Sequence, residues 1–276
     1  MKQYLAHSAK ETYPAQPYEI HIRHVLKKVE ESLGELAPFL SENQQNMLGT
    51  EARLAAIYHD LGKLEPENQD CLSGVKPAAR LPLHHMDAGC AFLLPQDSFA
   101  GITVYSHHVG LPNFSDEFLK DEKAFRDQEL YNRTNRDLPA LLSIQRLLLG
   151  TELEQISSAA GDFAGNIQVF LRLLLSIQAS ADFTDAAETY GNSQLTAIPR
   201  LRAEERLKAL DAYVQNLGKG ESDTRNQLRL QFYREMQEKT MQAPYSFCDA
   251  PVGSGKTTAV MAHLLRQSIH TGARRI

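Results

Sequence analysis

The sequence predicts a mainly helical domain followed by the opening piece of an α/β domain. Three observations carry this. Apolar residues recur every three to four positions up to about residue 217, and strict two-residue alternation is scarce until residues 245–248. The composition changes at residues 218–223 (GKGESD), which read as a linker. Beyond it come a polar helix, a short strand, a glycine-rich turn and a final helix. The expected domains are therefore 1–217, helical, and 218–276, a linker with the first segment of an α/β domain.

Within the helical part, Ile22, Val25, Leu26, Val29 and Leu33 mark one face of a first helix. Leu54, Ala55, Ile57, Tyr58 and Leu61 belong to a second, and Gly62 is its natural C-terminal stop. Residues 71–83 hold two prolines and a glycine and read as a loop. A short apolar helix covers 86–94 and ends before Pro95. Another precedes His107 and is broken by residues 111–114, which include Pro112. Residues 139–149 and 163–183 read as two more helices, the second apolar nearly all round and so expected at the centre of the core. Beyond the linker, 225–241 is the polar helix, 245–248 the strand and 258–267 the final helix.

Composition excludes several function classes. Of 276 residues, 42% are hydrophobic and 23% charged, as expected of a globular chain with a real core. No run approaches the roughly 18 apolar residues of a membrane span, and residues 1–10 lack the basic start and apolar stretch of a signal peptide. No membrane partner is expected. Cys71, Cys90 and Cys248 are scattered, with no Cys-x-x-Cys pair, which points to a reducing cytoplasm rather than a disulfide framework. The net charge of −5 is unlike a stand-alone DNA-binding module, but bound divalent cations would add positive charge locally.

The ten histidines are the informative residues. His59-Asp60 ends an apolar helix, where both side chains can converge on ions lying over the terminus. A carboxylate can bridge two metals while each imidazole gives one nitrogen, which is what two-metal hydrolysis requires. A lone His-Asp pair is more often a surface ion pair, and a lone His doublet more often a solvated loop. Here, however, His21, the doublets His84-His85 and His107-His108, and Asp182 inside an apolar stretch accompany it. An ionised Asp182 there would be costly unless paired or bound to a cation.

The order His21, His59-Asp60, His85, His107-His108, Asp182 resembles the HD phosphohydrolase superfamily. More narrowly, it is similar to the HD nuclease domain of the CRISPR-associated helicase-nuclease of type I interference systems. LAHS (5–8), QPYEIH (16–21), HDLGKLEPENQ (59–69), HMDAGC (85–90), SHHVGLP (106–112) and LLLSIQASADFTD (173–185) carry the resemblance. It implies that His21, His59, Asp60 and Asp182 hold one metal. Asp60, His85, His107 and His108 would hold a second, with Asp60 bridging. Lys63 would stabilise charge near the scissile phosphate, and His7 would lie beside the ligands without joining them. Ser106, Met86 and Ser180 depart from the family's usual Gly, Ser and acid, and none of these is a ligand position. His24 and His84 compete with their neighbours. His21 is preferred because it lies at the edge of the apolar face, and His85 because Gly89 then falls at the family's spacing. Ligation by His and Asp alone suits Mn, Fe, Co or Ni.

Residues 250–258 (APVGSGKTT) form a phosphate-loop signal between the expected strand and helix. In that context the backbone N–H groups of Gly253, Ser254, Gly255 and Thr258 would cradle phosphates, Lys256 would meet the β/γ-phosphates and Thr257 would hold Mg²⁺. The string resembles motif I of superfamily 2 helicases, with Val252 for Thr, and NQLR (226–229) resembles the segment that precedes it in the CRISPR helicase-nuclease. No Walker B acidic pair is found after it, so ATP hydrolysis is not expected here; ATP and Mg²⁺ belong to the complete helicase. The implied activity is metal-dependent cleavage of single-stranded DNA supplied by an RNA-guided surveillance complex (Cascade), the partner of the full-length protein. The competing readings are an HD phosphohydrolase acting on nucleotides or cyclic nucleotides, and a docking module that keeps its metal ligands for stability.

Overall fold

The computed structural model describes residues 3–77, 80–96, 98–150, 166–191, 200–217, 224–239, 247–273 and 276. The chain divides into two compact units, Met1–Leu195 and Thr196–Ile276. The described residues are mainly helical, with a single two-stranded antiparallel sheet.

The first unit opens with β1 (Leu5–His7) paired to β2 (Gln16–Pro17), then α1 (Tyr18–Leu36) and α2 (Glu42–Tyr58). A 3₁₀ turn at Leu61–Leu64 leads to α3 (Pro66–Leu72), α4 (Met86–Leu93), α5 (Phe99–Ser106), α6 (Phe114–Phe118), α7 (Tyr131–Leu149) and α8 (Ile167–Thr189). A capping box starts α2: Ser41 Oγ accepts from the Gln44 N–H, and the Gln44 side chain accepts from the Ser41 N–H. Ser98 caps α5, and the buried Glu51 of α2 accepts from both Ser98 Oγ and the Ala100 N–H at 2.7 Å. This ties the start of α5 to the middle of α2.

The central helix is α2, not the one spanning 163–183. Leu54, Ala55, Ile57 and Tyr58 pack into a cluster with residues of α4, α5 and α7. Met47, Leu48, Ala52 and Ala56 pack into a second cluster with Val25 and Val29 of α1 and Phe170, Leu174, Ile177 and Ala181 of α8. Helix α8 buries one face and leaves Val169, 60% exposed, and Phe183, 66% exposed, on the other. Apolar residues on all sides thus overstated its burial, because folded surfaces are themselves more than half apolar.

Several boundaries differ from the sequence expectation. Helix α7 begins at Tyr131 and runs through Pro139, which reads as a start signal but here removes one interior N–H. Cys71 and Leu72 close α3 rather than open a loop. Gly62 does not cap α2, whose C-cap is His59; it lies in the 3₁₀ turn. There a Cβ would sit 2.5 Å from the His85 carbonyl oxygen. Gly89 is similarly required, since its Cβ would fall 2.2 Å from the Tyr58 carbonyl oxygen. Both glycines let the segment carrying His85 press onto the end of α2.

The second unit holds α9 (Ala203–Leu217), α10 (Thr224–Glu238) and α11 (Lys256–Thr271). This compact unit takes in α9, which precedes the expected linker. Val214 of α9 shares a small core with Tyr233 of α10 and Ala259 and Ala262 of α11, with Leu207 and Leu210 alongside. The linker at 218–223 and most of the expected strand lie outside the described residues, and Phe247 and Cys248 are not in a strand.

Asp87, at the start of α4, carries a testable consequence of burial. It is 3% exposed, its Oδ2 has no hydrogen-bond partner, and burial pushes its pKa up to about 6. The folded protein therefore binds this proton more tightly than the unfolded chain. Stability from Asp87 is full below pH about 4 and is lost as pH rises towards 6, by about 2–3 kcal/mol. Asp87→Asn should raise the melting temperature of metal-stripped protein at pH 8 and flatten its dependence between pH 4 and 6. Unchanged melting curves across that window would refute this.

Candidate metal centre

The histidines and aspartates singled out by the sequence come together where the start of α1, the ends of α2 and α5 and the start of α4 meet the second half of α8. His59 and His107 are the C-cap residues of α2 and α5. Each donates Nδ1–H to the carbonyl three residues back, Ala56 at 2.9 Å and Val104 at 2.5 Å. Helix ends leave such carbonyls without intrahelical partners, so both rings are anchored by backbone. Their Nε2 atoms point into the cluster, and the negative ends of two helix dipoles favour a cation there.

His21 is held differently. It is completely buried, and its Nδ1 lies 2.6 Å from Asp185 Oδ2, while its Nε2 lies 3.0 Å from Asp60 Oδ2 and 3.5 Å from Asp182 Oδ1. His59 Nε2 is 3.4 Å from the same Asp60 oxygen and 3.8 Å from Asp182 Oδ1. The two Nε2 atoms are 3.2 Å apart. In the neutral rings that a metal needs, Nδ1–H is committed to Asp185 and Ala56, both Nε2 atoms present lone pairs and this contact is not a hydrogen bond. Four acceptors crowd together. Donors about 2.1 Å from a single ion and at right angles would be about 3 Å apart, so the spacing suits a shared cation.

The other Asp60 oxygen faces the second group. His85 Nε2 lies 3.5 Å from Asp60 Oδ1. His107 and His108 complete this side, with ring centroids 4.0 Å apart and His108 4.9 Å from His85. Among the described residues, the donor atoms of His85, His107 and His108 lie within 4.8 Å of one another, as do those of His21, His59 and Asp60, and those of His7, His21 and Asp182. Asp60 Oδ1, His85 Nε2, His107 Nε2 and His7 Nε2 are buried without a hydrogen-bond partner. Such orphans are rare in folded proteins and mark a place for a ligand. The donor set, all imidazole and carboxylate, fits a divalent transition metal.

Electrostatics agree. Burial holds His59 and His107 below the ordinary histidine range and pushes His85 and His7 down to about 3, so these rings are neutral at physiological pH, the form a metal needs. Burial opposes charge on His21, but its hydrogen bonds to Asp185 and Asp60 outweigh that and raise it. Burial likewise opposes ionisation of Asp60 and Asp182. For Asp60, Lys63, His59 and His21 prevail and hold it well below the carboxylate range. For Asp182, His59, His21 and Lys63 prevail over burial and the neighbouring Asp60, and its pKa is lowered. The buried Lys63 ammonium pairs with Asp60 Oδ2 at 2.6 Å.

His24 is turned outward and only touches Asp185 Oδ1 at 2.9 Å, and His84 is largely exposed near Asp127, so His21 and His85 are the members of the cluster. His7 packs edge-on against His21, with centroids 4.8 Å apart. Three supporting residues were not assigned roles from the sequence. Asp185 orients His21. Asn68 and Gln69 of α3 stitch the segments together: Asn68 bonds Gly62 O, Leu83 O and the Leu83 N–H, and Gln69 bonds Leu5 and Lys63.

In the second unit, Gly253 and Gly255 both take left-handed backbone, with φ of 82° and 84°, and α11 starts at Lys256. Thr258 Oγ1 donates to Gly255 O at 2.8 Å, and Arg229 Nε of α10 donates to Gly253 O at 2.7 Å. The glycine-rich turn into a helix is thus present, without a strand at Phe247 and Cys248 before it. No protein-family model matches this chain, and no curated protein matches it in sequence.

Proposed function

We propose that the first unit is a metal-dependent nuclease that hydrolyses phosphodiester bonds of single-stranded DNA, as part of a type I CRISPR interference system. The observation that carries this reading is the division of Asp60, whose Oδ2 faces His21 and His59 and whose Oδ1 faces His85. His21, His59, Asp60 and Asp182 would hold one ion, and Asp60, His85, His107 and His108 a second. Two ions of Mn, Fe, Co or Ni would supply Lewis-acid activation of water and neutralise the charge developing on phosphate.

The chain's own residues do the rest. Asp185, Ala56 O and Val104 O keep the Nδ1–H tautomer on His21, His59 and His107, so each Nε2 lone pair stays aimed at the cluster. Asp60 stays ionised at physiological pH because Lys63, His59, His21 and His85 surround it. Lys63, which balances Asp60, carries a positive charge towards which a phosphate oxygen can be drawn. The order of these residues along the chain and their resemblance to the CRISPR helicase-nuclease favour DNA over a free nucleotide. In the second unit, the turn Gly253–Ser254–Gly255 with Lys256, Thr257 and Thr258 supports a phosphate-binding reading of its own.

The test is cleavage of circular single-stranded DNA by the full chain in Mn²⁺, Ni²⁺, Co²⁺ or EDTA, with a cyclic nucleotide as a parallel substrate. Metal-dependent nicking is the expected result. Turnover of the cyclic nucleotide without nicking would move the assignment to a nucleotide phosphohydrolase. Neither activity in folded, metal-loaded protein would leave a docking module.

A further inference from the structure

The orienting partners in the centre are not equivalent. His59 and His107 are fixed by backbone carbonyls, which no side-chain substitution removes. His21 is fixed by a side chain on another helix. Asp185 is 1% exposed; its Oδ2 accepts from Gln16 Nε2 at 2.8 Å as well as bonding His21, and its Oδ1 meets His24 Nδ1 at 2.9 Å. It therefore joins β2, α1 and α8 through one carboxylate, three residues beyond Asp182 on the same helix. Residues three apart on a helix lie on one face, so the ligand and the group that orients its neighbour ligand move together.

The two sides of Asp60 also differ in enclosure. His21 and His59 are 0% exposed, whereas His107 is 8% exposed and His108 is open to solvent. A preset, enclosed donor set loses less freedom on binding than an open one.

We infer that Asp185 is a positioning residue that sets the affinity of the His21–His59–Asp60–Asp182 position, and that this position fills before the His85–His107–His108 position. The inference rests on the metal-centre reading above but not on the substrate assigned to it. Loss of a carboxylate that orients a ligating histidine lowers metal affinity by about 10- to 100-fold.

The experiment titrates Mn²⁺ into EDTA-stripped full chain and tracks free Mn²⁺ by its electron paramagnetic resonance signal. Wild type should bind in two steps. Asp185→Asn should weaken the tighter step by about 10- to 100-fold and leave the weaker one in place. His108→Ala, at an exposed position, should weaken only the second. Both steps unchanged in folded Asp185→Asn protein, or both weakened alike, would overturn the inference. Should that variant not fold, ¹⁵N spectra of the histidine rings in wild type loaded with Zn²⁺ decide. A proton retained on His21 Nδ1 with the metal-induced shift on Nε2 supports the role, and the reverse pattern overturns it. Selective loss of the tight step in a protein that never nicks DNA supports the positioning role and sinks only the nuclease. A wild type that binds no Mn²⁺ sinks both.

Discussion

Asp60→Ala is expected to reduce Mn²⁺-dependent nicking of circular single-stranded DNA by about 10³-fold or more, equivalent to about 4 kcal/mol of transition-state stabilisation. The size comes from position. Among the described residues, Asp60 is the one carboxylate whose two oxygens face both histidine groups, at 3.0 and 3.4 Å on one side and 3.5 Å on the other. Its loss would weaken both ion positions together, whereas loss of a single histidine touches one. Removal also leaves the buried Lys63 without the partner now 2.6 Å away, which by itself destabilises the metal-free protein. Asp60→Asn, which keeps the volume and one acceptor oxygen, separates the two effects. A folded Asp60→Asn protein that nicks within tenfold of wild type would remove Asp60 from its bridging role.

Much of the centre was legible because its donors are residue types that are costly to bury without purpose. Asp182 inside an apolar run and His59-Asp60 at a helix end stand out by that reasoning, and the choice of His21 over His24 rests on which side of α1 is apolar. Asp185 was missed although a signal existed. His21 and His24 are three apart, Asp182 and Asp185 are three apart, and the two pairs meet across α1 and α8. One sequence shows each pair but not that the helices face each other. Helix α9 was not singled out from the sequence, and its spacing alone would not name its partner. Leu207, Leu210 and Val214 have the spacing of a buried face, yet nothing local says that the face covers α10 and α11. Gly62 shows the same limit: it reads as a stop signal, whereas its role is the space it leaves for His85. The pairing of β1 with β2 has no period to read, since the strands are three and two residues long. It depends instead on a side chain 64 residues away in sequence.

That side chain gives the second large expected effect. Gln69 is 4% exposed and makes three hydrogen bonds: Oε1 accepts from the Leu5 N–H at 2.9 Å, and Nε2 donates to Leu5 O at 2.8 Å and Lys63 O at 2.7 Å. Gln69 thus pairs both backbone groups of Leu5 from α3, as an adjoining strand would. Gln69→Leu keeps the volume but strands one backbone N–H and two carbonyls in a dry interior, at about 1–3 kcal/mol each. Added burial of the leucine offsets part of this, leaving a net loss of about 3–5 kcal/mol. For a unit of this size that corresponds to a fall of about 10 °C in melting temperature. The damage should not be confined to stability. Gln69 connects the strand carrying His7 to the turn carrying Lys63, so Mn²⁺-dependent nicking should fall even at temperatures where the variant is folded. Calorimetry and nicking at about 20 °C, well below the expected transition, check the two parts separately. A melting temperature within about 2 °C of wild type would show that water satisfies these backbone groups as well as Gln69 does. A large thermal loss with full activity would confine Gln69 to holding the hairpin.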